Sequence, residues 1–283
     1  MTDRRAIVGR LQYAGDSVIL RNGTEMPLAG FGTWTLRGRT CSELVCAALI
    51  AGVRHIDTAR MYGNEEAVGP GIRKSGIPRE KIFLTTKLMD SGGFRNSLAD
   101  IDDSLRKLGT DYADLILLHE PYEGKYEIYR AMEQALSDGR ARAIGVSNFT
   151  LAALREFSSR VNVVPMADQV EAHVLLQRRA FAGELTAAGI APVAWSPLGG
   201  GDAGIPKNPV LAEIGRAHGK SAAQTALRFL VEEGFAVVPR TSDPGRIREN
   251  SDIFDFCLSG EEQERIRRLD RGISLFGWAQ GYV

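Results

Sequence analysis

The stretches KIFLTTKL (81–88) and YADLILLH (112–119) decide the fold. Each is a short β-rich apolar run, and between them Ser97–Leu108 is amphipathic and helix-like. A strand, a helix and a second strand in that order make a parallel pair joined by a right-handed crossover. The same alternation continues in both directions. Upstream lie PLAGFGTW (27–34) and GVRHIDTA (52–59); downstream lie ARAIGVSN (141–148), VPMADQVE (164–171), IAPVAWSP (190–197) and FAVVPR (235–240). Amphipathic segments, among them Cys41–Ala51, Ile128–Asp138, Leu151–Ser158 and Ala222–Glu232, lie between the runs. Strand centres recurring roughly every 25–30 residues, apart from a longer gap before the last, predict a (β/α)8 barrel. An open doubly wound sheet would show a Gly-rich turn after its first strand and would not need eight units. Asn22-Gly23, inside Val18–Met26, is a hairpin signal, and this hairpin is expected to plug the barrel bottom. No low-complexity linker interrupts the chain, so residues 1–283 are expected to form one domain.

The composition narrows the function. Lys plus Arg and Asp plus Glu stand at 35 each, for a formal net charge of zero. A nucleic-acid surface or a polybasic membrane patch is therefore not indicated. Cys41, Cys46 and Cys257 fit no CxxC or zinc-ligand spacing, and they point to a reducing, cytoplasmic setting. The N-terminal MTDRRAIVGRLQYAGDS lacks the continuous apolar core of a signal peptide, and no run is long enough to span a bilayer. No interaction stripe stands out, and a monomer is expected.

Barrels place their chemistry at the C-terminal ends of the strands. Asp57 ends the second run, with Tyr62 in the loop beyond; Lys87 ends the third and His119 the fourth. Four titratable side chains thus emerge on one rim. Plainer roles remain open for each: a turn cap for Asp57, a solvated tip for Lys87, a satisfied buried imidazole for His119. His55, two residues before Asp57, reads as barrel filler, and no Asp/Glu/His spacing suggests a metal. The four are coherent as a group. A charge about 4 Å away at an effective dielectric near 20 is worth roughly 4 kcal/mol. Lys87 can in this way draw down a phenol whose ordinary pKa is about 10. Asp57 would stabilise the ammonium, and His119 would donate to an oxygen gaining negative charge. That set suits reduction of a carbonyl, with proton delivery to oxygen and hydride delivery to carbon.

These residues, in their motifs, resemble the aldo-keto reductase superfamily, in particular its diketogluconate reductase branch. The resemblance runs from GFGTW (30–34) to LDRG (269–272) and includes GVRHIDTARMYGNE (52–65), DLILLHEP (114–121), GVSNF (145–149), ADQVEAH (167–173), AWSPLG (194–199) and VVPRTSDPGRIREN (237–250). It implies a nicotinamide cofactor bound across the mouth without a Rossmann domain. Ser147, Asn148 and Gln169 would hold its carboxamide, and Trp195, where relatives usually have Tyr, would stack on its ring. Ser196, Pro197, Leu198 and Gly199 would run beside the pyrophosphate. Gly199, Gly201 and Gly204 also spell G-x-G-x-x-G, but Pro206 and Pro209 follow in place of a long helix, so the match reads as a decoy.

Arg240, Thr241 and Ser242 precede an expected helix with Asp243 as N-cap, Pro244 at N1 and Arg246 one turn in. That is a plausible 2′-phosphate site. By resemblance, Glu249 and Asn250 would contact adenine. NADPH is favoured by this site, but Asp243 replaces the neutral or basic residue usual in the motif and works against a phosphate, so NADH is left open. Trp34, Met61, Met89 and Glu120 are expected to line the substrate pocket, with Phe276 and Trp278 near it. Glu120 stands where relatives commonly have Trp, and Asp168 and Ala172 replace the usual Asn and Tyr. NADPH-dependent reduction of a small-molecule aldehyde or ketone is the expected activity, with Tyr62 as proton donor. A Schiff-base lyase or aldolase using Lys87 and a non-catalytic NADPH-sensing subunit are the alternatives.

Overall fold

The computed structural model describes residues 11–283 except Asp202, so the reading of the first ten residues lies outside it. Strands β1 (Gln12–Ala14), β2 (Ser17–Ile19) and β3 (Glu25–Pro27) form a small antiparallel sheet. Strands β4 (Gly30–Gly32), β5 (His55–Asp57), β6 (Phe83–Leu88), β7 (Ala113–Leu118), β8 (Ala141–Ser147), β9 (Ala167–Glu171), β10 (Ala191–Trp195) and β11 (Ala236–Val237) pair in parallel and in chain order. The two ends of this sheet meet. Ala29 bridges Val237, the Val237 N–H donates to the Leu28 carbonyl at 2.7 Å, and the Gly32 N–H to that of Pro239 at 3.0 Å. A Cβ on Gly32 would lie 2.7 Å from the Val238 carbonyl oxygen, so the closing seam requires glycine there. The result is the (β/α)8 barrel expected from the strand runs.

Pleating sorts each strand into two faces. On β7, Leu115 and Leu117 point into the barrel, while Ile116 and Leu118 pack outward against helices Phe94–Leu108 and Lys125–Ser137. All six residues of β7 are buried, as a strand covered on both sides demands. The inward residues stack in layers. Phe83, Leu115, Ala143, Ala167, Ala191 and Ala236 belong to the lower interior, and Val18, Leu20, Met26 and Leu28 from the N-terminal sheet pack on them. That sheet therefore fits the bottom plug expected of the Asn22-Gly23 hairpin, with a third strand added. It is tied down by Arg21, which donates to the Ala188 carbonyl at 2.6 Å, and Asn22, which donates to that of Arg142 at 2.7 Å. Truncating one of these buried leucines to alanine costs about 2–5 kcal/mol.

The helices Gly38–Ile50, Phe94–Leu108, Lys125–Ser137, Leu151–Arg160 and Ala222–Glu232 fall where periodicity predicts them. Helices Glu65–Lys74, Arg179–Ala187, Pro209–Ala217 and Gly260–Arg267 are additional. After β10 the backbone turns through several positive-φ glycines, and the next α-helix starts only at Pro209. The G-x-G-x-x-G spacing is thus no strand–turn–helix motif. No helix among the described residues is long and apolar enough to cross a membrane.

Candidate active site

The parity that fills the lower barrel with apolar groups also selects the rim. Moving up by two residues, His55 leads to Asp57, Thr85 to Lys87, Gly145 to Ser147, Ala167 to Gln169, and Val193 to Trp195. His119 extends β7 by one residue, its N–H donating to the Leu88 carbonyl at 3.0 Å. His55 sits one layer down, fully buried, with Nε2 3.0 Å from the Thr85 hydroxyl. Tyr62 arrives on a short 3-10 turn, Arg60–Tyr62, closed by Gly63 in the left-handed region at φ 59°. Asn64 fixes that loop: its Nδ2 donates to the carbonyls of Thr33 and Leu36, and its Oδ1 accepts from the Thr58 hydroxyl.

These elements bring the four rim residues together. Lys87 Nζ donates to Asp57 Oδ1 at 2.6 Å, to the Thr58 carbonyl at 3.0 Å and to the Tyr62 hydroxyl at 3.2 Å. An ammonium has three donors, and all three are used. The second Asp57 oxygen accepts from Gln169 Nε2 at 2.7 Å. Burial alone would lower the Lys87 pKa, but the Asp57 charge and Tyr62 outweigh it and the net direction is upward. A lysine held as an ammonium has no lone pair for a Schiff base, which works against the lyase reading. Burial raises the Tyr62 pKa above its ordinary 10 and prevails over the opposing pull of Lys87. The expectation that Lys87 brings this phenol down is thereby corrected: desolvation wins, and Tyr62 stays protonated. Burial, then Lys87, pushes the His119 pKa down to about 3. Its imidazole is neutral at ordinary pH, and Nδ1 is buried without a partner among the described residues. The Nε2–H tautomer leaves that nitrogen as a bare lone pair and frees a donor for the mouth. The Tyr62 ring meets Trp34 at 4.8 Å and His119 at 5.8 Å, both edge to face.

The residues expected to hold a cofactor form two groups. At the rim, the Ser147 hydroxyl donates to the Gln169 carbonyl at 2.7 Å. Asn148 adopts a left-handed φ of 62°, and its Oδ1 accepts from the Trp195 indole N–H at 2.9 Å. Ser196, also left-handed, turns the chain so that the Gly199 N–H donates to its carbonyl; Pro197 is buried and Leu198 joins the outer core. Beyond β11, the Arg240 guanidinium braces Trp34 and Thr35, donating to a carbonyl at 3.1 Å and a hydroxyl at 2.6 Å. Thr241 accepts from the Asp243 N–H, and Asp243 caps the helix Pro244–Ser251 through the Gly245 N–H at 2.8 Å. Ser242 and Arg246 are exposed there, while Asn250 is buried. Arg246 lies 3.8 Å from the Asp243 carboxylate, and Glu249 accepts from the Ser221 hydroxyl at 2.5 Å. A helix N-terminus with exposed hydroxyl and guanidinium groups suits a phosphate; the amides and indole at the rim suit a carboxamide and a flat ring.

The substrate side is mostly aromatic. Trp34 is 50% exposed and Met61 39%, with Met89 and Glu120 half-buried. Trp278 stacks on Trp195 at 5.4 Å with 11° between planes, and Phe276 lies 5.2 Å from the same indole. The anchor of this tail escaped sequence reasoning. Glu171 accepts from the Ser274 hydroxyl at 2.5 Å and the Leu275 N–H at 2.9 Å, with His173 Nε2 2.9 Å away. Its position two residues beyond Gln169, on the same strand face, was the available signal. At the opposite end of the barrel, a cleft of about 610 Å³ lined by Asp114, Arg142 and Phe254 holds none of these four residues.

The sequence model of the Aldo/keto reductase family matches residues 29–271. The chain is 42% identical over 259 residues to the glyoxal reductase of Bacillus subtilis, covering 90% of this chain and 93% of that one. Among solved structures it resembles an aldo-keto reductase from a Medee basin deep-sea metagenome library, at TM-score 0.89 and 40% identity, covering 92% and 97% of the two chains. It also resembles a Bombyx mori aldo-keto reductase in complex with NADP, at TM-score 0.87 and 31% identity, covering 94% and 96%. A barrel with this rim, matched over nearly its whole length, belongs to the aldo/keto reductase family.

Proposed function

We propose that the protein reduces an aldehyde or ketone to an alcohol with NADPH, Tyr62 supplying the proton and His119 orienting the carbonyl. The observation that carries this is the Lys87 ammonium, which touches both Asp57 and the protonated Tyr62 hydroxyl beside a neutral His119. A carbonyl oxygen placed between Tyr62 and His119 Nε2 meets two donors. When bound, NADPH supplies the hydride to the carbonyl carbon. As negative charge builds on the oxygen, Tyr62 passes its proton, and Lys87 at 3.2 Å stabilises the phenolate left behind. Asp57 keeps Lys87 charged, and Gln169 holds Asp57 in place.

The rim amides, with Trp195, would hold the nicotinamide end. Arg240, Thr241, Ser242 and Arg246 would hold the 2′-phosphate at the helix N-terminus, with Glu249 and Asn250 toward adenine. The solved Bombyx mori relative with NADP supports this choice of cofactor. The composition favours a single-domain monomer acting in the cytoplasm. A panel of aldehydes and ketones, each run with NADPH and with NADH, tests the reading. Cofactor oxidation with at least one carbonyl, faster with NADPH, is expected. Tight NADPH binding with no turnover across the panel would instead favour a sensing role.

A further inference from the structure

The mouth carries two arcs of π surfaces. Trp34 meets Tyr62, Tyr62 meets His119, Tyr282 meets Trp278 at 6.5 Å, and Trp278 stacks on Trp195. Glu120 links the two arcs: it follows His119 in the chain, and its Oε2 lies 3.4 Å from the Tyr282 hydroxyl. Among the described residues that long contact is its only side-chain partner, and no cation pairs with it. The nearby charges do not neutralise it. Lys87 is committed to Asp57, and Asp90 adds a second negative charge around Tyr122, whose hydroxyl is held well above its ordinary value by burial first and then by these acids. Arg178 reaches the Tyr282 carbonyl, but its charge is felt by Asp168 and Glu171. A half-buried carboxylate without a counterion, at the Tyr282 hydroxyl and so one ring away from Trp278, can bind an organic ammonium between itself and the aromatic groups of the mouth.

We propose that Glu120 and the aromatic groups of the mouth select carbonyl substrates that carry a protonated amine. This rests on the reductase reading above and deepens it by naming the substrate class. The ammonium sits between Glu120 and these aromatic groups, while the carbonyl lies between Tyr62 and His119. A negatively charged substrate is repelled by the same carboxylate.

The test uses three para-substituted benzaldehydes of similar size, bearing dimethylaminomethyl, isopropyl or carboxylate groups, with NADPH as cofactor. The ammonium compound should show kcat/KM about tenfold above the isopropyl compound, and the carboxylate should be the poorest. In Glu120→Gln the ratio of ammonium to isopropyl compound should collapse to about one. Equal kcat/KM for the ammonium and isopropyl compounds in the parent, or a ratio unchanged in Glu120→Gln, overturns the proposal. Binding of benzyltrimethylammonium, followed by quenching of tryptophan fluorescence, gives a readout without turnover. It should be at least tenfold weaker in Glu120→Gln, and equal affinity counts against the cation site whatever the catalytic result. Loss of all turnover with intact, Glu120-dependent ammonium binding would overturn the reductase reading alone.

Discussion

Replacing Asp168 with Asn should stabilise the protein, by an amount that grows with pH. Asp168 points outward from β9, is 0% exposed, and has no well-formed hydrogen bond to either oxygen among the described residues, the Phe149 backbone N–H offering only a weak one. Burial pushes its pKa from 3.8 up to about 8, against weaker pulls from the Phe149 backbone N–H and the Arg178 charge. The folded chain therefore keeps this proton up to about pH 8, while the unfolded chain releases it near 3.8. Stability falls as pH rises through that window and levels off above it. At about 1.4 kcal/mol per tenfold, the ceiling is roughly 4 kcal/mol at pH 7 and roughly 6 kcal/mol above pH 8. Asn keeps the shape and cannot ionise, but its amide must also give up water, so part of that gain is offset. A gain of 2 kcal/mol would raise Tm by about 4–8 °C. Thermal unfolding of both proteins, followed by circular dichroism at pH 4, 6 and 8, measures the difference. It should be near zero at pH 4 and largest at pH 8. A variant destabilised by the same amount at every pH would refute the reasoning.

Lys87→Met should strand the buried Asp57 charge, costing roughly 3–5 kcal/mol of stability in urea titration, and lower kcat by about 10³-fold. With the His119 pKa near 3 and that of Tyr62 above 10, kcat for reduction should be flat between pH 5 and 8; an acidic limb near 6.5 would show that His119 titrates normally. Because burial favours neutral His119, its contribution to stability is present above pH 6.5 and is lost as pH falls toward 3. Asp243→Asn removes a carboxylate from the helix N-terminus, and the ratio of kcat/KM for NADPH over NADH should rise by about fivefold, the effect of roughly 1 kcal/mol of relieved repulsion.

What could be read beforehand follows from which forces are local. The eight strand runs announce themselves because each is buried on both faces, and strand ends fall on the rim by parity alone. Helix Ala222–Glu232 is equally legible, with Ser221 and Gln224 forming a capping box. Helix Glu65–Lys74 is not, since Gly69, Pro70 and Gly71 argue against it. Tertiary contact decides there: a Cβ on Gly69 would lie 2.4 Å from the Leu108 carbonyl oxygen, and one on Gly71 2.6 Å from that of Ser42. The close approach of neighbouring helices demands small residues that local propensity penalises. At the site, residue types and spacing suffice to nominate Asp57, Tyr62, Lys87 and His119. The protonation of Tyr62 is not legible, because it depends on how far burial outweighs the Lys87 charge. The tail is likewise hidden: Glu171 and Ser274 are 103 residues apart, and no periodicity connects them.

The central claim is that Tyr62 delivers the proton, and Tyr62→Phe tests it most directly. Two quantities should be measured on the same preparation: the NADPH dissociation constant, and kcat with the best carbonyl of the panel. The Lys87–Asp57 pair survives the change, so NADPH affinity should stay within about threefold, while kcat falls by about 10³-fold or more. Turnover within about tenfold of the parent, with NADPH still bound, would contradict the assignment and place the proton donor elsewhere.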